Sequence, residues 1–471
     1  MIILVLVLAA VLRLVRLDQS LWLDEAINVL ATTQNSFWDM VTRYSIGDFH
    51  PPGYFALLWI WTKVGGIGEV WARLPSVIFG ILGVFGVYLL GKEMFGKRVA
   101  LLSALFMALA PLHIYYSQEA RMYSMTSFAA TLSFYFFWRF LNRGNRGDLI
   151  GYAISNILVL YSDYMVYLIF PVQFIFLLVW QRNALKEMIA PWIINFIVFI
   201  PWLTIFPKQL SSGTSAASAL PGWADVVGGA SIKELMLIPI KTFFGRVSLE
   251  NKTLYGIVIV VVSLFYGWVV ISGLRKIDKP SKLLISWIII PVVLAFIISF
   301  FIPILAYFRI LFILPAFYLL LAKGVDTLRS RARPWRLAVA GICLVNLISL
   351  GVYYTNPKFQ REDWKGAVSM VDERAQVEGL ILFENNNLPS PFIYYSQNIS
   401  PAMGGLRKIP AESERDVNNI PNVKNVYLFE YLVDITDPKR LLEKEIEKAG
   451  YKKINTLNWS GVGFVHHFQI Q

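Results

Sequence analysis

The side chains suited to acid–base and phosphate chemistry concentrate in three short stretches of this 471-residue sequence. These are Trp22-Leu23-Asp24-Glu25, Asp48-Phe49-His50-Pro51-Pro52 and Ser117-Gln118-Glu119-Ala120-Arg121-Met122-Tyr123. A carboxylate such as Asp24 can take a proton from an attacking hydroxyl. Cations can stabilise a departing phosphate. Each stretch also has a plainer reading. Asp24 and Glu25 suit a helix N-terminus, where acids complement the dipole. His50 suits a helix-entry turn, and Glu119 with Arg121 suits a self-satisfied pair that ends a loop. Pro51 and Pro52 restrict the backbone and keep the preceding residue extended, so His50 is presented rigidly. The aromatic stretch from Tyr54 to Trp61 suits a helix lying in the membrane interface. Asp163 adds a carboxylate between two apolar runs, Arg309 a cation at the start of another, and Arg246 a further cation in a long loop. Arg13 and Arg16 can simply snorkel.

What must position these groups is a membrane. Hydrophobic residues make up 56% of the sequence and charged residues only 16%, against roughly a quarter charged in soluble chains. About eleven apolar runs are long enough to be read as spans: 2–17, 74–90, 99–113, 124–140, 149–162, 165–180, 190–206, 254–273, 283–303, 306–322 and 337–354. The first has no basic start and is followed by further spans, so it reads as a helix and not as a signal peptide. With the N-terminus inside, the inner loops carry 17 Lys and Arg against 5 acids, the bias that fixes orientation. The net charge of +12 is thus a topology signal, and nucleic acid is not expected as a partner. The single Cys343 excludes an internal disulfide framework.

The expected architecture is an all-α polytopic module over 1–354, followed by a small extracytoplasmic α/β domain over 355–471. Two outer loops, 18–73 and 207–252, are long enough to carry function. The tail balances 14 basic against 15 acidic residues. Asp363-Trp364 leads into a helix, Gly379–Glu384 and Asn425–Tyr431 read as strands, and Asp437 caps a charged helix that Gly450 ends.

At these residues the sequence resembles the membrane glycosyltransferases of the C superfamily, family 39, which includes the protein O-mannosyltransferases and is related to the lipid A aminoarabinose transferases. The resemblance rests on Trp22-Leu23-Asp24-Glu25, His50-Pro51-Pro52-Gly53-Tyr54, Ala72-Arg73-Leu74-Pro75-Ser76 and the run from His113 to Tyr123. It continues less specifically in Arg309 with Pro315 and in Arg361-Glu362-Asp363-Trp364. It implies inverting transfer of a sugar from a polyprenyl-phosphate donor to a lipid, glycan or protein acceptor at the outer face of the plasma membrane. Asp24 matches the catalytic base and Glu25 its acidic neighbour. His50 stands where aminoarabinose transferases carry a phosphate-contacting lysine, and Asp163 where many relatives have histidine. Glu25, His50, Tyr54, Gln118, Glu119, Arg121, Tyr123, Asp163, Arg246 and Arg309 are the expected substrate-binding residues, with His50 and Arg309 foremost on the phosphate. No organic cofactor is implied, and a divalent metal is left open.

A secondary transporter or lipid flippase is the alternative class. It should carry ionisable groups near the bilayer midplane and repeated halves with interrupted helices. Here the acids and bases fall mostly at span ends, and no internal repeat is visible.

Overall fold

A computed structural model describes residues 1–219, 228–375 and 378–471. The centre of the second long loop, 220–227, lies outside the described residues. Each apolar run holds helix, but 99–113 is broken at Leu109-Ala110, 283–303 leaves the helix after Ile298, and the run at 306–322 becomes helical only from Leu311. Six helices are long and apolar enough to cross a membrane: Glu69–Phe95, Arg182–Leu203, Lys252–Gly273, Lys279–Ile298, Leu311–Ser330 and Trp335–Thr355. Lys97–Ala108 and Pro111–Ser117, bent by 62°, make a seventh if taken as one span. Ile2–Leu14 and Met165–Trp180 are shorter apolar helices. The chain is a multi-pass membrane protein.

The helices Tyr123–Arg143 and Arg146–Ser162 are less apolar for a structural reason. They face each other and bury polar groups that bond between helices. Ser133 Oγ donates to Asn156 Oδ1 at 2.7 Å, Gln173 Nε2 donates to Ser133 Oγ at 2.8 Å, and Tyr152 Oη donates to Gln173 Oε1 at 2.7 Å. Such bonds hold helices together where lipid offers no hydrophobic drive. Small residues serve the same end. A Cβ on Gly324 would lie 2.1 Å from the Val269 carbonyl oxygen, so Lys252–Gly273 and Leu314–Ser330 meet backbone to backbone. The outward faces are apolar, with Ile257, Val260, Val261 and Leu264 all exposed, as suits lipid contact.

The C-terminal domain is built on a five-stranded sheet of order β2-β1-β3-β5-β4. Its strands are β1 (Gly379–Phe383), β2 (Ala402–Gly404), β3 (Asn425–Phe429), β4 (Tyr451–Trp459) and β5 (Gly463–Ile470). β2, β1 and β3 are parallel, and β5 with β4 adds an antiparallel hairpin. β1 and β3 alternate between two cores: Ile381, Phe383, Tyr427 and Phe429 on one face, Leu380, Leu382, Val426 and Leu428 on the other. Both faces are covered, which explains their unbroken apolar runs. Helices Trp364–Ala375, Ser390–Tyr395 and Leu441–Lys448 flank the sheet.

Candidate active site

The first long loop opens with the helix Leu23–Gln34, whose first turn holds Asp24 and Glu25. Neighbours on a helix point about 100° apart, so the two carboxylates part company. Glu25 turns inward and is fully buried. Arg73 donates to it twice, Nε to Oε1 at 2.8 Å and Nη2 to Oε2 at 2.5 Å, and the Ala120 backbone N–H adds a bond of 2.7 Å. Arg73 also donates to the carbonyls of Leu17, Gln19 and Ser20. This pair therefore clamps the chain that enters the helix.

Asp24 turns the other way, with its side chain 28% exposed. Arg121 lies beside it, Nη2 at 3.6 Å from Asp24 Oδ2, while Nη1 donates to Asp48 Oδ2 at 3.2 Å. Asp48 ends a short helix and is followed by Phe49 at φ 64°, a left-handed turn that aims the chain into Pro51-Pro52. The turn brings His50 Nδ1 within 2.6 Å of Asp48 Oδ1 and leaves Nε2 3.7 Å from Asp163 Oδ2. Asp163 is fixed in turn by the Met165 N–H, which donates to Oδ1 at 2.6 Å. The result is a chain of alternating carboxylates and nitrogen bases: Asp24, Arg121, Asp48, His50, Asp163.

The environment separates the two loop carboxylates. Desolvation by the surrounding protein pushes Asp24 above the ordinary carboxylate range, with Arg121 pulling the other way and Asp48 adding repulsion. Asp24 is thus reachable from outside yet poorly hydrated. Asp48 is also desolvated, but Arg121 and His50 outweigh this and hold it low. Two acids driven apart in this way signal divided roles.

Arg309 faces the same cluster. Its Nη1 donates to the Pro303 carbonyl at 3.1 Å and its guanidinium lies over Phe308, and Asp24, Asp163 and Arg121 all act on its charge. Tyr123 packs against Tyr116 and Phe308, forming an aromatic wall. Beyond it, Arg246 Nη1 donates to Tyr115 Oη at 2.6 Å, and Lys241 Nζ reaches the Arg246 carbonyl at 3.4 Å. Among the described residues, no carboxylate lies within ion-pair distance of Arg246, Lys241 or Arg309, whereas Arg121 and Arg361 are paired.

The other expected residues stand behind the cluster. Tyr54 Oη bonds Ser76 Oγ at 2.8 Å in the interior. Gln118 Nε2 donates to the carbonyls of Arg13 and Val15. Glu119 accepts from Arg361 Nη1 at 2.6 Å, and Arg361 stacks 3.7 Å over the Tyr115 ring. Sequence reasoning named Asp48 beside His50 without giving it a role, and passed over Lys241. Asp48 had a legible signal, since it stands two residues before a proline-locked histidine. Lys241 had none. Among the described residues, no set of three or more His, Cys, Asp or Glu is arranged to hold a metal ion.

Comparison with known proteins agrees with the motif resemblance. The model of the dolichyl-phosphate-mannose-protein mannosyltransferase family matches residues 49–205, about a third of the chain. No curated protein matches the sequence. Among solved structures, ArnT from Cupriavidus metallidurans bound to undecaprenyl phosphate superposes with a TM-score of 0.64 at 13% identity, covering 99% of this chain and 97% of that one. The archaeal oligosaccharyltransferase AglB from Archaeoglobus fulgidus, in complex with an inhibitory peptide and a dolichol-phosphate, gives 0.54 at 12% identity, over 98% and 74%. At such identities the likeness is one of fold. The chain has an ArnT-like fold.

Proposed function

We propose that this chain is a membrane glycosyltransferase that moves a sugar, with inversion, from a polyprenyl-phosphate donor to an acceptor at the outer face of the cell membrane. The observation that carries the reading is the position of Asp24. It is a partly exposed carboxylate on the first turn of a loop helix, raised above its ordinary range, with the unpaired Arg309 acting on its charge.

In this reading Asp24 takes the proton of an acceptor hydroxyl. The freed oxygen attacks the anomeric carbon as the bond to the donor phosphate breaks, and the electron pair leaves with the polyprenyl phosphate. Phosphate leaves without an acid once its charge is neutralised, so one base suffices, unlike glycoside hydrolysis with its two carboxylates. Arg309, Arg246 and Lys241 hold the phosphate and gain strength as its charge builds. Burial pushes Lys241 down to about 8, so it stays mostly charged at neutral pH, and an anion beside it would raise it again. Arg121 and His50 are engaged by Asp24, Asp48 and Asp163, and so order the base and its surroundings. Glu25, Tyr54, Gln118 and Glu119 hold the loop.

A lipid tail also has a place to lie. A cavity of about 570 Å³ is lined by Leu160, Phe170, Phe174, Trp192, Phe196 and Phe199. Leu160 stands one helical turn before Asp163, so the cavity begins close to the charged cluster, and apart from Asn195 its lining is apolar. The family likeness over 49–205 and the fold shared with two proteins solved with polyprenyl phosphates support the same donor class. Mass spectrometry of lipids that co-purify with the protein tests the reading. A polyprenyl-phosphate sugar is expected, enriched over an Arg246→Ala/Arg309→Ala double variant. Equal lipid profiles would contradict it.

A further inference from the structure

Two arginines from distant parts of the chain meet on one tyrosine. Tyr115 lies in the short helix Pro111–Ser117. Its hydroxyl accepts from Arg246 Nη1 at 2.6 Å, with the Arg246 guanidinium 4.9 Å from the ring centre. Arg361, from the C-terminal domain, lies 3.7 Å from the same ring centre. It also grips the backbone of that tyrosine: Nη2 donates to the Tyr115 carbonyl at 2.9 Å, while Nη1 donates to Glu119 Oε2 at 2.6 Å. The Arg361 backbone N–H donates to Gln19 Oε1 at 2.9 Å. Tyr116 and Tyr353 pack on the Tyr115 ring as well, at 5.1 and 5.4 Å between centres.

The two arginines differ in what surrounds them. Arg361 and Glu119 are buried, so neither is free to meet a ligand. Arg246 is exposed, and its guanidinium is held by Tyr115 instead of a carboxylate. A close approach of backbone brings it there. Gly245 follows the helix Ile232–Phe244 at φ 64°, and a Cβ on it would lie 2.9 Å from Pro111 Cβ and 3.3 Å from the Leu112 nitrogen. Both the positive φ and the crowding call for glycine, and the next residue is thereby set against the helix that carries Tyr115. An exposed arginine samples many rotamers, and a ligand must arrest that motion. A guanidinium already held by a hydroxyl and a ring loses less freedom on binding.

We propose that Arg361 and Tyr115 are positioning residues for the donor phosphate: Arg361 locks the Tyr115 ring, and Tyr115 holds Arg246 in the rotamer that receives the phosphate. This rests on the reading of Arg246 as a phosphate-binding cation, and it gives the C-terminal domain a working part in donor binding. The planar guanidinium of Arg361 stacks on the ring and reaches Glu119 and the Tyr115 carbonyl at once. A lysine there would keep a charge beside Glu119 and lose the stack and the fork.

The test uses the full chain in nanodiscs and has two readouts. Undecaprenyl phosphate binding is titrated for Tyr115→Phe, which keeps the ring and removes the acceptor, and for Arg361→Lys, which does not leave Glu119 buried without a cation. Each should weaken binding by roughly three- to tenfold. The same changes made on Arg246→Ala should weaken it no further, since the side chain they position is gone. Losses that add in full on Arg246→Ala would overturn the proposal. The second readout needs no ligand: the rate at which phenylglyoxal modifies Arg246, followed by mass spectrometry. Released from Tyr115, Arg246 should react faster in both variants, and Arg309 should not. Parental rates at Arg246, or an equal acceleration at Arg309, would also overturn it. If the parent chain binds no undecaprenyl phosphate while Arg246 alone still reacts faster in both variants, the donor reading falls and the link from Arg361 through Tyr115 to Arg246 stands.

Discussion

Arg121 Nη2 lies 3.6 Å from Asp24 Oδ2, and this contact opposes the dehydration that pushes Asp24 upward. A base must be ionised to accept a proton, so its pKa sets the acidic limb of the pH–rate profile. Removing the cation in Arg121→Gln should raise Asp24 further and move that limb to higher pH. Asp48→Asn removes a like charge and should move it to lower pH. Profiles of kcat/KM for both variants check the signs, and two shifts in the same direction would refute this electrostatic account.

Glu25 and Arg73 present a different kind of pair, both wholly buried and joined by two hydrogen bonds. Removing one partner leaves the other charged and unpaired, at a cost of about 3–5 kcal/mol. Glu25→Ala should therefore lower thermal stability and activity together. Thermal unfolding in detergent is the check. A variant of parental stability that is inactive would point to a direct role of Glu25 in the reaction.

Donor binding should depend on the unpaired cations more than on the paired ones. Arg246→Ala and Arg309→Ala should each raise the donor concentration needed for half-saturation. The lysine versions should do so less, since they keep the charge and lose the fork. His50→Gln should leave donor saturation near the parent value and lower turnover, because His50 bonds Asp48 and faces Asp163. Saturation curves in nanodiscs measure all of these.

Asn386 is exposed in the C-terminal domain. With Cys343 replaced by Ala, Asn386→Cys should react with a membrane-impermeant thiol reagent in intact cells. Labelling only after lysis would reverse the orientation drawn from the loop charges.

The helical architecture was legible because lipid demands long apolar runs and writes them into sequence without interruption. The weaker runs at 124–140 and 149–162 belong to helices that bury Ser133, Asn156 and Tyr152 against Gln173, so their polarity reflects packing. β1 and β3 were readable as apolar runs covered on both faces. β4 was not: Lys452, Lys453, Asn455 and Asn458 give an edge strand its polar, protective face and hide the alternation. At the site, Asp24, His50, Arg121, Asp163 and Arg309 stood out by residue type, and the structure groups them. Their division into paired and unpaired cations depends on contacts across 73 residues of chain, as between Arg121 and Asp48, which no local pattern carries.

The central claim is that Asp24 deprotonates an acceptor in a direct displacement at the anomeric carbon of a polyprenyl-phosphate sugar. The most direct measurement is the single-turnover rate and product anomeric configuration for the parent and Asp24→Asn, in nanodiscs, with donor bound to saturation. A positioned base contributes about a hundred- to ten-thousand-fold. The account predicts an inverted product and a rate fall of that order in Asp24→Asn, with donor binding preserved. A retained configuration, or an Asp24→Asn rate equal to that of the parent, would contradict it.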